Sequence, residues 1–149
     1  MTMSRRSVAV VVFMISILLV ALSCGDEMLY SDVSEDNFDD KILDRINDYR
    51  ESEDLERLAY SGDLWRLAKD HAEDMNDRDE LDHDGFDDRM ERSRSDYCVE
   101  NVAAGGTTSK EVFEMWRDSA GHNENMLDSV IRRAAVAHKG AYSVFFSCD

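Results

Sequence analysis

The chain of 149 residues contains no proline, where about 5% is usual. No turn is set by a pyrrolidine ring, so the loops must be shaped by Gly, Asn, Asp and Ser. Basic residues are scarce as well: 17 Lys and Arg face 33 Asp and Glu, for a formal charge of −16. Nucleic acid is excluded as a natural partner, because phosphate binding needs a basic footprint, and anionic membrane surfaces are disfavoured by the same sign. Lys is the rarer cation, 4 against 13 Arg, and Asp outnumbers Glu by 21 to 12. That bias suits an exported, halophilic domain hydrated in concentrated salt, although acidity alone also fits an ordinary soluble surface. Neither a G-x-S-x-G nucleophile elbow nor an H-E-x-x-H zinc helix occurs, so two sequence signatures of hydrolases are missing. The length suffices for one domain and is too short for two.

Apolar runs are confined to the start. Arg5 and Arg6 precede an uncharged stretch from Ser7 to Ser23, followed by Cys24, the order of an export signal. A helix of about 17 residues reaches about 25 Å, short of the roughly 30 Å hydrocarbon core. Ala21-Leu22-Ser23-Cys24 resembles a lipoprotein signal, with Ala where Leu is usual, and makes Cys24 the candidate lipidation site. Residues 1–24 therefore read as a lipid-anchored leader, a cleaved signal or a signal anchor, all three placing the remainder outside the cytoplasm. Only three cysteines are present. With Cys24 lipidated or lost, Cys98 and Cys148 form an even pair suited to an oxidising compartment. A bridge between them closes a loop of about 50 residues, worth roughly 4 kcal/mol in the chain-entropy model; two separate buried thiols are the alternative.

Residues 25–36 are acidic and poor in core-forming side chains, and read as a tether to a domain at 37–149. From Phe38, the positions Ile42, Ile46 and Tyr49 recur on one helical face, with Ser34 as N-cap. Ser61-Gly62-Asp63 opens a second helix, with Leu64, Ala68, Ala72 and Met75 as its inward stripe and an end near Asp77. Residues 76–97 are polar, with a short helix around Asp87–Arg92. Thr108-Ser109-Lys110-Glu111 is a capping box leading to Val112 and Trp116. Near the C-terminus, Ala134–His138 and Ala141–Phe146 flank Lys139-Gly140 as a hairpin. Helices followed by a small antiparallel sheet make an α+β fold.

Several ordered elements carry a resemblance: Asn47-x-x-Arg50, Leu58-x-x-Ser61-x-x-Leu64, His83-Asp84-Gly85 with Asp82 before it, Glu100-Asn101-Val102-Ala103, and Trp116-x-x-Ser119-Ala120-Gly121-His122-x-x-Asn125-Met126-Leu127. In this order they resemble the CAP superfamily of cysteine-rich secretory, antigen 5 and pathogenesis-related 1 proteins, in its short prokaryotic form. The sequence departs from the family pattern at Val99, where Gly is usual, and at Ala120, where Pro is usual. The resemblance implies a three-layer α-β-α sandwich, usually secreted, with a cleft in which two His and two acids converge and can hold a divalent cation. Carried onto this chain, the metal set is His83, Glu100 and His122; the second family Glu falls on Ser119.

Two neutral imidazoles and one carboxylate suit zinc and leave one position for water or ligand. Asp82 and Asp84 are candidates to orient His83. His71 reads as a helix-flank residue, His138 as a strand-end surface residue, and Trp116 and Phe145-Phe146 as core, although an exposed Phe would line an apolar groove. A binding module with a lipid or envelope ligand is the first expectation. Its rivals are a metal-dependent hydrolase with Glu124 or Glu111 as base, and a structural interaction domain at the envelope.

Overall fold

The computed structural model describes the backbone of residues 33–149 and the side chains from Phe38 onward. The leader 1–24, Cys24 and residues 25–32 of the expected tether lie outside the described residues. Among those described, no helix is long and apolar enough to cross a membrane.

Helix α1 spans Val33–Ser52. It begins one residue before the Ser34 expected to cap it, a difference within the one or two residues over which helix ends vary. Ile42 and Ile46 are fully buried, with Leu43 beside them. The two polar residues that close the helix act as clamps. Asn47 Nδ2 donates to the Leu58 carbonyl at 3.1 Å while its Oδ1 accepts from the Leu58 N–H at 2.7 Å. Arg50, 1% exposed, donates to the carbonyls of Glu56 (3.0 Å), Met126 (2.8 Å) and Asp128 (2.8 Å).

A two-residue strand, β1 (Ala59–Tyr60), precedes α2 (Gly62–Arg78), whose Ser61 cap accepts from Leu64 N as expected. The predicted stripe of Leu64, Ala68, Ala72 and Met75 is buried, and Leu67 and His71 join it. Helix α3 (Phe86–Ser93) occupies the short helix expected in the polar stretch. Strand β2 (Cys98–Ala104) follows, then α4 (Ser109–Arg117), where both bonds of the Thr108–Glu111 capping box form. Helix α5 (Ala120–Met126) leads to the hairpin of β3 (Arg133–Lys139) and β4 (Tyr142–Cys148).

The sheet order is β1-β3-β4-β2. The three long strands are antiparallel as expected, and β1 adds a parallel pair to β3 that the sequence did not announce. Strand side chains alternate between two cores. On one face Val99, Ala103, Ala134, Val136 and Phe145 meet α1 and α4; on the other Val102, Ala135, Val144 and Phe146 meet α2. The result is the α-β-α sandwich. Trp116, Phe145 and Phe146 are all fully buried, which settles them as core. Cys98 and Cys148 are register partners at the ends of β2 and β4, and they form the disulfide.

Candidate functional site

Strand β2 carries polar residues onto both faces of the sheet. Glu100 shares the α2-side face with Cys98 and Val102, and Asn101 shares the opposite face with Val99 and Ala103. Both are buried, so each must find partners inside the protein.

Glu100 finds them in α3 and the loop before it. Its side chain is 1% exposed. Arg89 Nε donates to Oε2 and Nη2 to Oε1, both at 2.7 Å, a two-pronged guanidinium–carboxylate pair. His83 Nδ1 lies 2.9 Å from the same Oε1, while the His83 ring is half exposed, 51%. Arg89 Nη1 donates to the Asp84 carbonyl at 2.7 Å, so one side chain ties the carboxylate to the loop that carries His83.

His71 closes the buried side. It lies on α2 with its Nε2 3.0 Å from the Asp82 carbonyl and 3.8 Å from Glu100 Oε1. A carbonyl only accepts, so Nε2 carries the proton. Burial first, and then the charge on Arg89, hold the His71 pKa below its ordinary value, with Glu100 and the Asp82 contacts offsetting in part. This residue, read from sequence as a helix flank, is a core member of the site.

The remaining loop residues depart from their expected roles. Asp82 does not orient His83: one of its oxygens accepts from the Asp84 N–H at 2.9 Å and the other from Arg78 at 2.8 Å. Glu100 is the acceptor instead. Gly85 takes φ +73° at the N-terminus of α3, and a β-carbon there would lie 3.4 Å from Arg89 Nη1. Gly85→Ala is expected to cost about 1–2 kcal/mol for the left-handed backbone. A thermal melt checks this, and an unchanged midpoint would refute it.

On the other side of β2, α5 brings up His122 and Asn125. Asn101 Nδ2 donates to the His122 carbonyl at 2.9 Å. Asn125 Nδ2 bonds Asn101 Oδ1 at 2.8 Å and the Glu100 carbonyl at 3.1 Å. The half-buried His122 imidazole has its pKa lowered by burial and then by the charge of nearby His83. Thus His83, Glu100 and His122 gather at one edge of the sheet. Among the described residues, however, no group of three or more His, Cys, Asp and Glu is arranged to hold a metal ion.

The bases considered for hydrolysis fare differently. Glu111 Oε2 accepts from the N–H groups of Thr107 (2.7 Å) and Thr108 (3.1 Å) and from the Thr107 hydroxyl. Those bonds lower its pKa, so it is a helix cap rather than a base. Glu124 is exposed on α5. Ser119 is the N-cap residue of α5 and makes no side-chain cap bond there. His138, half-buried on β3, pairs through Nδ1 with Ser143 Oγ at 3.0 Å and stacks near Phe38.

The family model for CAP, the cysteine-rich secretory protein family, matches residues 43–149, which takes in every residue of this site. The chain belongs to the CAP family. It is 27% identical over 116 residues to an uncharacterised protein, YkwD, of Bacillus subtilis, covering 72% of this chain and 45% of that one. An extracellular protein containing a SCP domain from Bacillus anthracis superposes with a TM-score of 0.73 at 24% identity, over 76% of this chain and 41% of that chain. An outer surface protein of Borrelia burgdorferi superposes at 0.67 and 18%, over 79% and 95%. The CAP chain therefore spans less than half the length of the two Bacillus proteins.

The family's cation can be tested against these residues. Glu100 has both oxygens engaged by Arg89 and one also by His83, so it does not fit as a direct ligand. His83 does fit: its Nδ1 is engaged by Glu100, and a histidine bonded in this way to a carboxylate through one nitrogen presents the other to a metal, while His122 is tied to β2 through its carbonyl. Three contributors escaped the sequence reading. Arg89 and His71 lay among many charged residues with no spacing to mark them. Asn125 stood inside a motif, but its bond to the Glu100 carbonyl needed the fold.

Proposed function

We propose that this CAP domain is an extracytoplasmic binding module whose cleft lies at the β2 edge. There the imidazoles of His83 and His122 would hold a divalent cation, zinc being favoured by neutral nitrogen donors. The bound ion would supply a Lewis-acidic point for a polar group of the ligand, a lipid or another envelope component. The observation that carries the reading is the 2.9 Å contact of His83 Nδ1 with a carboxylate itself held by Arg89. Glu100 acts as the orienting acceptor in this reading. Binding is favoured over hydrolysis because the carboxylate that faces His83 is paired with a guanidinium and Glu111, one of the two bases considered, is engaged as a helix cap. The extracytoplasmic placement is supported by the export-type leader and by the extracellular and outer-surface descriptions of the structural neighbours.

The test is a thermal melt with and without zinc. At 100-fold excess over Kd, a single site adds about 2.7 kcal/mol, a rise on the order of 10 °C for a domain of this size. His83→Ala is expected to abolish the rise. An unchanged midpoint in millimolar zinc would overturn the cation site and leave a metal-free interaction domain.

A further inference from the structure

We propose that Arg89 is the positioning residue of this cleft: by holding both oxygens of Glu100 it makes the carboxylate an obligate acceptor, and so fixes His83 as the Nδ1–H tautomer. The inference rests on the reading of His83 as a cleft residue and goes beyond it by assigning what sets its proton. A neutral imidazole has one N–H and one lone pair, and the hydrogen bond made by one nitrogen decides which is which. His83 Nδ1 faces Glu100 Oε1 at 2.9 Å. Both Glu100 oxygens already accept from Arg89 at 2.7 Å, so the oxygen that faces Nδ1 is an acceptor. Nδ1 therefore donates, and Nε2 keeps its lone pair.

One further hydrogen bond, together with burial, holds Arg89 in place. Its Nη1 bond to the Asp84 carbonyl joins it to the loop beside His83, and the guanidinium is buried, so water does not compete for Glu100. His71 cannot take over this role. Its own N–H is directed to the Asp82 carbonyl at 3.0 Å, and its 3.8 Å approach to Glu100 is beyond a hydrogen bond.

Nitrogen-15 correlation spectra of the full chain test this, recorded without metal at a pH where the imidazoles are neutral. In the wild type, His83 is expected as a single tautomer with Nδ1 protonated. Arg89→Gln should lose that single state, and Arg89→Lys, which keeps a cation beside the carboxylate, should restore it. Glu100→Gln supplies an arm that does not depend on the folding of the Arg89 variants. There Arg89 claims the amide oxygen, the NH₂ turns to His83, and the tautomer inverts to Nε2–H. An Nε2–H tautomer in the wild type, an unaltered signature in Arg89→Gln, or no inversion in Glu100→Gln would each overturn the proposal. Because the spectra are read without metal, a failed zinc titration leaves this result intact, and the converse holds as well.

Discussion

Arg50→Met is expected to destabilise the domain by about 4 kcal/mol, read as the loss of unfolding free energy in urea. The side chain is 1% exposed and donates to three carbonyls, those of Glu56, Met126 and Asp128. Its charge is not what keeps it there. Burial and the nearby Arg132 both work against the guanidinium, and Asp128 offsets only part of this. What it supplies is three hydrogen bonds from a charged donor, each worth about 1.5–3 kcal/mol when the acceptor would otherwise be buried unpaired. The simple sum overshoots, because some carbonyls will rehydrate and losses beyond 4–5 kcal/mol are exceptional. Against a typical total of about 5–15 kcal/mol, the remainder is still a large fraction. Arg50→Lys keeps a donor but not the fork, and should fall between the two. A loss below about 1.5 kcal/mol for Arg50→Met would refute this account.

The consequence reaches the cleft. Met126 ends α5, the seven-residue helix that carries His122 and Asn125. Arg50 fastens that helix to the end of α1 on the same side of the sheet, where Met126 shares a core with Ile42 and Ile46. The variant should therefore open α5 to hydrogen exchange before the strands, since short elements with few buried contacts detach first. It should also weaken any zinc-dependent rise in melting temperature.

The elements legible in the sequence were those whose local signals agree with their tertiary role. The stripe of α2 and the Ser61 and Thr108 caps formed as read, and the C-terminal hairpin formed with its turn at Gly140-Ala141, one residue later than read. Strand β2 was not legible as a strand because Glu100 and Asn101 put a buried polar residue on each face, which erases the alternation a half-buried strand shows. Helix α5 was not legible because it buries only Met126. For the site, motif resemblance pointed to His83, Glu100 and His122, but the acceptor that faces His83 differs from the one expected. The sequence named Asp82 and Asp84 as partners of His83 because they are adjacent. The fold instead brings Glu100, 17 residues away, to within 2.9 Å.

The scarcity of cations gives a physical context for Arg89. Exposed Arg57 bridges Asp44, Asp48 and Glu51, and Arg78 bridges Asp74, Glu80 and Asp82. Such exposed pairs contribute little individually. Arg50 and Arg89 are different because they are buried, so their removal leaves groups that water cannot easily reach.

Arg89→Met is accordingly expected to cost about 3–5 kcal/mol, the effect of leaving a buried carboxylate without its counter-ion. The decisive comparison is with the double variant Arg89→Met, Glu100→Leu. A buried pair replaced by apolar side chains of similar volume is often neutral or stabilising, so the double variant should recover most of the loss. A double-mutant cycle by urea unfolding, with Glu100→Leu as the other single variant, then gives a coupling at least as large as the loss recovered, about 3 kcal/mol or more. That outcome would mean the pair is not retained for stability, because an apolar substitute serves the fold as well. What the apolar substitute cannot do is accept from His83 Nδ1, so the recovered double variant should still lack the zinc-dependent shift. Additive losses, with a coupling near zero, would instead place the stabilising role of Arg89 in its bond to the Asp84 carbonyl. The same cycle thus separates the contribution of this guanidinium to the fold from its contribution to the cleft.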